Sequence, residues 1–212
     1  METSLFADDT RPSADEALAR LVDGNRRFCR GEARRDPFRR ETLAELAKAQ
    51  RPYATILGCS DSRVPPEWIF DAGLGELFVV RVAGNILSPE IAGTLQYAGS
   101  YLQTPLFVVL GHEGCGAIGA ALATKLEGEQ FRSRVQLLLD SIVPGLPDLD
   151  LQLSRQELLS QAVESNVRWT VRRILDSPEG QARVAEGLAK IVGAVYEIET
   201  GLVRFLPPDE RT

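Results

Sequence analysis

The chain has 212 residues, of which 44% are hydrophobic and 25% are charged, and its formal net charge is −6. This composition is typical of one globular domain and excludes a disordered chain. Acidic residues interrupt the early arginines, so we expect no basic face for nucleic acid. The chain lacks an apolar run of about 18 residues and the regions of a signal peptide, so we expect no membrane span and a cytoplasmic location.

Hydrophobic spacing predicts two N-terminal helices, followed by strands that alternate with helices. The first helix begins after Ser13, which forms a capping box with Glu16, and the second covers residues 41–49. Short apolar runs predict strands at 53–57, 77–82, 106–110, 190–198 and 202–206. Helical patterns cover 65–70, 88–101, 114–123, 131–142, 154–175 and 178–188, and residues 144–148 are predicted to form a loop.

This alternation predicts an α/β fold. We expect a mainly parallel central β-sheet with an antiparallel edge strand from the final hairpin, and helices on both faces. Residues 1–52 would form an N-terminal helical arm that is not an independent domain. Residues 53–206 would form the α/β domain, and residues 207–212 a tail.

Groups that bind metals follow two of the predicted strands. Cys59 comes directly after the first strand, and His112, the only histidine of the chain, follows the third. The carboxyl ends of parallel strands border one crevice, so these side chains can converge there, and Cys115 can face the same ion. Two thiolates and one imidazole suit zinc and leave a fourth position open for water.

The same three residues also have a purely structural interpretation. Cys59 and Cys115 can be small buried residues, and His112 can be a core histidine with satisfied hydrogen bonds. Spacing alone favours zinc over this alternative. Cys29, on the first helix, has no expected partner, and three cysteines in such a chain suggest reduced thiols rather than a disulfide framework.

A carboxylate and a guanidinium, those of Asp61 and Arg63, lie two and four residues beyond Cys59. Asp61 can bind the metal as a fourth ligand, which closes the site. Alternatively, it can pair bidentately with Arg63 and accept a proton from water on the metal. A loop salt bridge with no catalytic role is the third alternative.

Four motifs together resemble the β-class carbonic anhydrases over residues 50–206. They are Cys59-Ser-Asp-Ser-Arg-Val-Pro, Phe78-Val-Val-Arg-Val-Ala-Gly-Asn, Gly111-His-Glu-Gly-Cys-Gly-Ala and Ile191-Val-Gly-Ala-Val-Tyr-Glu-Ile-Glu-Thr-Gly. The resemblance implies reversible hydration of CO2 to bicarbonate and a proton. It further implies one Zn²⁺ per chain, held by Cys59, His112 and Cys115, with Asp61 and Arg63 as the adjoining catalytic dyad.

The resemblance also implies a homodimer or a higher even oligomer, in which the N-terminal arm wraps the neighbouring subunit. In the plant-like branch of the family, a glutamine nine residues before the first zinc cysteine contacts the substrate pocket across that interface. Gln50 occupies this position. Phe78 and Tyr97 match aromatic residues of the same pocket, where we also place Ala83.

Two positions depart from patterns found within the family. Ile56 stands where another branch has the tryptophan of a regulatory bicarbonate site, so we do not expect that regulation. Glu113 replaces the serine or aspartate expected after the zinc histidine, although it removes no ligand.

Three alternative functions are compatible with parts of the same sequence. Relatives with such a zinc site hydrolyse CO2-like molecules such as CS2 or COS. A non-catalytic bicarbonate sensor or assembly protein would be expected to have lost Asp61, Arg63 or a ligand, and this sequence retains them all. An α/β domain with a structural zinc would have a closed site with four ligands.

Overall fold

A parallel sheet forms the centre of the protein. The computed structural model describes residues 11–34, 43–44, 46–146 and 152–208. Within these ranges the strands are β1 (Ala54–Gly58), β2 (Leu77–Arg81), β3 (Leu106–His112), β4 (Lys190–Tyr196) and β5 (Val203–Phe205). Their order is β2-β1-β3-β4-β5, with every pairing parallel except that of β4 with β5. The prediction of a mainly parallel sheet with an antiparallel edge strand is confirmed.

Helices connect the strands and cover the sheet, as expected for an α/β fold. They are α1 (Ala14–Cys29), α2 (Pro66–Ile69), α3 (Pro89–Ser100), α4 (Gly116–Glu127), α5 (Arg134–Asp140), α6 (Arg155–Leu175) and α7 (Pro178–Ala185), with short 3-10 turns at Ala83–Asn85 and Val143–Gly145. None of these helices is both long enough and apolar enough to cross a membrane.

The two central strands carry the residues that lead into the site. Every residue of β1 and β3 is buried, which explains their nearly continuous apolar sequences. The strands run parallel, with Gly58 at the end of β1 beside Leu110 in β3. The residues that follow Gly58 and Leu110 therefore emerge at the same edge of the sheet.

Several boundaries differ from those predicted. The strand predicted at 106–110 continues to His112, because Gly111 and His112 still pair with β4. The helix predicted from residue 131 begins only at Arg134, after Ser133 with a φ of 54°. The helix predicted to reach residue 188 ends at Ala185, shortly before Gly187 adopts a φ of 69°. These backbone conformations interrupt a helix.

Two other predicted segments lie partly outside the described residues. Of the predicted helix at 41–49, residues 43–44 and 46 are helical, whereas residues 41, 42 and 45 are not described. The predicted loop at 144–148 begins within the 3-10 turn Val143–Gly145, and residues 147–151 are not described.

A buried asparagine fastens α1 to the rest of the domain. The predicted capping box of Ser13 and Glu16 begins this helix. Near its other end, the side chain of Asn25 donates to the carbonyl oxygens of Ile69 and Gly201, at 3.2 and 2.8 Å. Its own oxygen accepts the N–H of Val203 at 2.9 Å. One side chain therefore joins α1 to α2 and to the β4–β5 hairpin.

Candidate metal centre

Three potential metal ligands meet at the carboxyl edge of the sheet. Cys59 is the first residue after β1, His112 is the last residue of β3, and Cys115 is the N-cap of α4. Their ligand atoms all lie within 4.8 Å of one another. All three residues are at most 4% exposed. The structure thus brings together the three residues that the strand positions and spacing indicated.

The separation of the two sulfur atoms is suited to a tetrahedral ion. The Sγ atoms of Cys59 and Cys115 are 4.0 Å apart. Two sulfurs that each lie about 2.3 Å from a tetrahedral zinc ion are separated by about 3.8 Å. This cysteine pair therefore needs only a small adjustment to share a zinc ion, and the three cysteines of the chain, including Cys29, are free of disulfides.

The imidazole of His112 is oriented for metal binding. Its Nδ1 is 2.8 Å from the carbonyl oxygen of Glu113, so Nδ1 carries the proton and donates it. That tautomer leaves the lone pair on Nε2, which is buried without a hydrogen-bond partner among the described residues. A buried nitrogen without a partner beside two thiols fits a metal ligand better than it fits a satisfied core histidine.

The two thiols differ in acidity. The hydrogen bond from Cys115 lowers the pKa of the Cys59 thiol. The same bond to Cys59, together with burial, raises the pKa of Cys115. The pair therefore holds one proton between two sulfurs, and a metal that binds both thiolates displaces that proton.

Asp61 pairs with Arg63 in a bidentate ion pair at the entrance to the site. Arg63 donates from Nε to Oδ1 at 2.9 Å and from its terminal nitrogen to Oδ2 at 2.7 Å. These bonds from Arg63 hold the pKa of Asp61 well below its usual range. The carboxylate still lies close to the cluster, since Oδ2 is 3.9 Å from Nε2 of His112.

Comparison with known proteins identifies the family. Residues 54–203 match the family model described as carbonic anhydrase. A carbonic anhydrase of Mycolicibacterium smegmatis is 37% identical over 189 residues, which cover 87% of this chain and 89% of the relative. Carbonic anhydrase 2 of Mycobacterium tuberculosis is 37% identical over 197 residues, which cover 91% and 92% of the two chains.

Comparison with solved structures leads to the same family. The β-carbonic anhydrase CcaA superposes with a TM-score of 0.70 at 27% identity, covering 90% of this chain and 99% of the other. The Coccomyxa β-carbonic anhydrase, solved with acetazolamide, gives a TM-score of 0.69 at 29% identity and covers 89% and 86%. The chain belongs to the β-carbonic anhydrases. Its enzyme class is therefore that of the lyases that hydrate CO2.

Sequence reasoning assigned no role to two residues that hold the Cys59 loop in this β-carbonic anhydrase. Arg81, at the end of β2, donates to the carbonyl oxygens of Cys59 and Asp61 at 3.0 and 2.6 Å. Gly84 donates its N–H to the Sγ of Cys59 at 3.4 Å. Both belong to the motif that begins at Phe78, which is the signal that could have drawn attention to them.

Glu113, the departure noted in the sequence, points away from the metal ligands. Its carboxylate accepts the N–H of Ile198 at 3.1 Å, and its own N–H donates to the carbonyl of Tyr196 at 3.0 Å. Its carbonyl oxygen meanwhile accepts the proton of His112. The residue thus joins the imidazole to the segment between β4 and β5.

The four residues expected in the substrate pocket differ in the contacts that they make within the single chain. Phe78 and Tyr97 lie together, with ring centroids 6.2 Å apart, and Ala83 begins the turn that carries Gly84. Gln50 is exposed, and no hydrogen bond in the described part of the chain joins it to the metal ligands. The role of these residues stays a prediction.

Proposed function

We propose that this chain catalyses the zinc-dependent, reversible hydration of CO2 to bicarbonate and a proton. One zinc ion per chain would be bound by Cys59, His112 and Cys115. The observation that carries this proposal is the buried, unpartnered Nε2 of His112, on an imidazole with a nitrogen within 4.8 Å of two sulfur atoms that are themselves 4.0 Å apart. Zinc with an open fourth position would supply a nucleophile by lowering the pKa of water, but two thiolate ligands offset its charge, so we expect that pKa to lie above the value of about 7 typical of a three-histidine zinc site.

Asp61 and Arg63 would form the catalytic dyad. Both oxygens of Asp61 are engaged by Arg63, which favours a carboxylate that stands beside the site rather than one that closes it as a fourth ligand. Because its pKa is depressed, Asp61 is ionised at neutral pH and can only accept a hydrogen bond. It would therefore orient the attacking group so that a lone pair faces the carbon of CO2.

Arg63 has a second contact that supports this role. Its terminal nitrogen lies 3.4 Å from the carbonyl oxygen of Gly114, in the loop that carries His112 and Cys115. Arg63 thereby connects the dyad to the second loop of the site. The guanidinium would keep the carboxylate in one orientation relative to the metal ligands, as general acid–base and positioning groups require.

The substrate pocket would be completed by a second subunit. Residues 1–52 would act as a dimerisation arm on the catalytic domain of residues 53–206, with 207–212 as a tail. Gln50 would then donate a hydrogen bond to a CO2 or bicarbonate oxygen, beside Phe78, Ala83 and Tyr97. In one chain Tyr97 is 46% exposed and Tyr101 is 72% exposed, and their stacked rings form an aromatic surface of the kind that subunits cover.

The direct test is stopped-flow CO2 hydration by the wild type and by Asp61→Ala, with zinc content measured on both. We expect Asp61→Ala to keep its zinc and to lose about 10²- to 10⁴-fold in turnover, the usual contribution of a general acid–base group. Asp23→Ala, which removes an exposed ion pair on α1, is the matched control and should behave as wild type.

Two results for Asp61→Ala would contradict its role in the dyad, and one result for the wild type would contradict the proposed activity. Loss of zinc in Asp61→Ala would identify Asp61 as a ligand, and unchanged turnover would remove it from the mechanism. Release of sulfide from COS by a wild type that does not hydrate CO2 would favour the alternative hydrolase activity.

A further inference from the structure

The Cys59 sulfur has a backbone hydrogen-bond donor of its own. The N–H of Gly84 points at Sγ from 3.4 Å, within a buried part of the domain. A donor of this kind draws charge from the sulfur. Groups around metal ligands that act in this way tune both the binding of the metal and its electronic character.

The turn that presents this N–H is not held by local geometry alone. Gly84 has a φ of 67° and Asn85 a φ of 42°, so two consecutive residues are in the left-handed region. That conformation is unfavourable for a residue with a β-carbon. A β-carbon on Gly84 would also lie 2.8 Å from the Cδ1 atom of Ile142. Gly84 is unstrained at this φ because it is a glycine, whereas Asn85 is not, so contacts from the residues packed around the turn help to hold it.

Asn166, on α6, supplies such support. Its Nδ2 donates to the carbonyl oxygen of Gly84 at 2.9 Å, and the residue is 1% exposed. The helix is itself held close to the site, since a β-carbon on Gly111 would lie 2.6 Å from Cγ2 of Val167. Gly111 immediately precedes His112. Asn166 is therefore a rigidly placed contact between α6 and the Gly84 turn.

Stability alone does not explain why an asparagine occupies this position. Its Oδ1 is buried without a hydrogen-bond partner among the described residues. Burial of an amide that makes only part of its hydrogen bonds costs free energy, and an apolar side chain of similar size would avoid that cost. The bond to Gly84 is the feature that an apolar residue cannot provide.

We propose that Asn166 is a positioning residue that acts through Gly84 on the Cys59 thiolate. By fixing the Gly84 carbonyl, it holds the Gly84 N–H on the sulfur, and it thereby strengthens metal binding and limits the charge that sulfur donates to the metal. This inference rests on the proposed zinc site and adds to it a residue 107 positions from Cys59.

The test compares Asn166→Leu with Thr170→Val. Thr170 lies one turn further along α6, is 2% exposed, and contacts the carbonyl of the next residue, Asn85, at 3.5 Å. Both substitutions replace a buried polar side chain with an apolar one, but only Asn166→Leu removes a bond to Gly84. If the leucine variant does not fold, Asn166→Ser replaces it, with a hydroxyl too short to span the same distance.

Three measurements are made on each purified protein. Zinc affinity is determined by competition with a chelator, and the zinc-induced rise in melting temperature gives a second measure of binding. The absorption spectrum of the cobalt(II)-substituted protein reports charge donation from sulfur. We expect Asn166→Leu to lose about 10- to 100-fold in zinc affinity and its thiolate-to-cobalt band to move to longer wavelength. Thr170→Val should match the wild type.

Two kinds of result would contradict the role of Asn166. If Asn166→Leu binds zinc and absorbs as the wild type does, or if Thr170→Val shows the same losses, the inference is overturned while the zinc site stands. A wild type that takes up no zinc would instead overturn the proposed function, and this inference with it.

Discussion

The imidazole of His112 is oriented by the residue that follows it in the chain. The carbonyl of Glu113 fixes the tautomer, and the carboxylate of Glu113 fixes that carbonyl through the N–H of Ile198. The hydrogen-bond partner of a metal-binding histidine usually affects metal affinity. A residue that departs from the family pattern thus retains a structural connection to the site.

Glu113→Ala should therefore weaken the zinc site. The variant loses the bond to the N–H of Ile198, so the Glu113 carbonyl that orients His112 is held less firmly. Zinc should therefore dissociate about 10-fold faster. This is the lower end of the range for changes to residues that support metal ligands, because the Glu113 carboxylate is exposed. Glu113→Gln keeps an oxygen that can accept the same N–H and should dissociate zinc as the wild type does. Transfer of zinc to a chromogenic chelator measures the rate, and equal rates in all three proteins would contradict the prediction.

Tyr53 makes stability depend on alkaline pH. Burial, reinforced by the charge of Glu76, raises the pKa of Tyr53 to about 12. An unfolded tyrosine has a pKa of about 10, so the native state favours the neutral phenol. This contribution is fully present below pH 10 and is lost as the pH rises through about 12, because the unfolded chain releases the proton first.

Tyr53→Phe should remove that dependence. Between pH 9 and pH 12 the wild type should lose at most about 2–3 kcal/mol more unfolding free energy than the variant, which follows from a shift of about two pKa units. Urea unfolding of both proteins across this range measures the difference. Parallel decline of the two curves would show that Tyr53 is not the group responsible.

At the scale of elements, the positions of the strands that lead into the site could be predicted from the sequence. β1 and β3 are buried on both faces, so their apolar runs are continuous and their ends fall within two residues of the prediction. Those ends place Cys59 and His112, so the convergence of the ligands followed from strand positions and short spacing. The start of α5 and the end of α7 were harder to predict, because they depend on positive φ angles at Ser133 and Gly187.

The hydrogen bonds that support the metal ligands could not be predicted from the sequence. Asn166 bonds to a residue 82 positions earlier, and Arg81 bonds to a carbonyl 22 positions earlier. The motif that begins at Phe78 draws attention to Arg81 but does not name its partner, and Asn166 lies in no motif, because such bonds form only when separate elements pack together. Gln50 presents a related difficulty, because its expected role needs a second subunit.

Asn25 makes the buried hydrogen bonds that attach α1 to the rest of the domain. Asn25→Ala would leave the carbonyls of Ile69 and Gly201 and the N–H of Val203 without their partner. Buried polar groups left unpaired cost about 1–3 kcal/mol each, so we expect a loss of about 3 kcal/mol or more in unfolding free energy. Urea unfolding measures it, with the exposed Asp23→Ala as control. A loss below about 1 kcal/mol would contradict this account of α1.

For the whole molecule, the presence of a single histidine has a kinetic consequence. His112 is proposed as a zinc ligand, so no other imidazole among the 212 residues is present to carry the released proton to solvent. Proton transfer should then rely on buffer, water or carboxylates. Turnover at saturating CO2 should rise with buffer concentration at constant ionic strength, as measured by stopped flow. Turnover that is indifferent to buffer would disprove this expectation.

The central claim is that one zinc ion at Cys59, His112 and Cys115 makes the chain an active carbonic anhydrase. The most direct measurement is CO2 hydration by metal-free protein as zinc is added in known amounts, beside Cys115→Ser treated identically. We predict that wild-type activity rises linearly and levels off at one zinc per chain, while the variant stays largely inactive. Activity without zinc, or full activity in Cys115→Ser, would contradict the account.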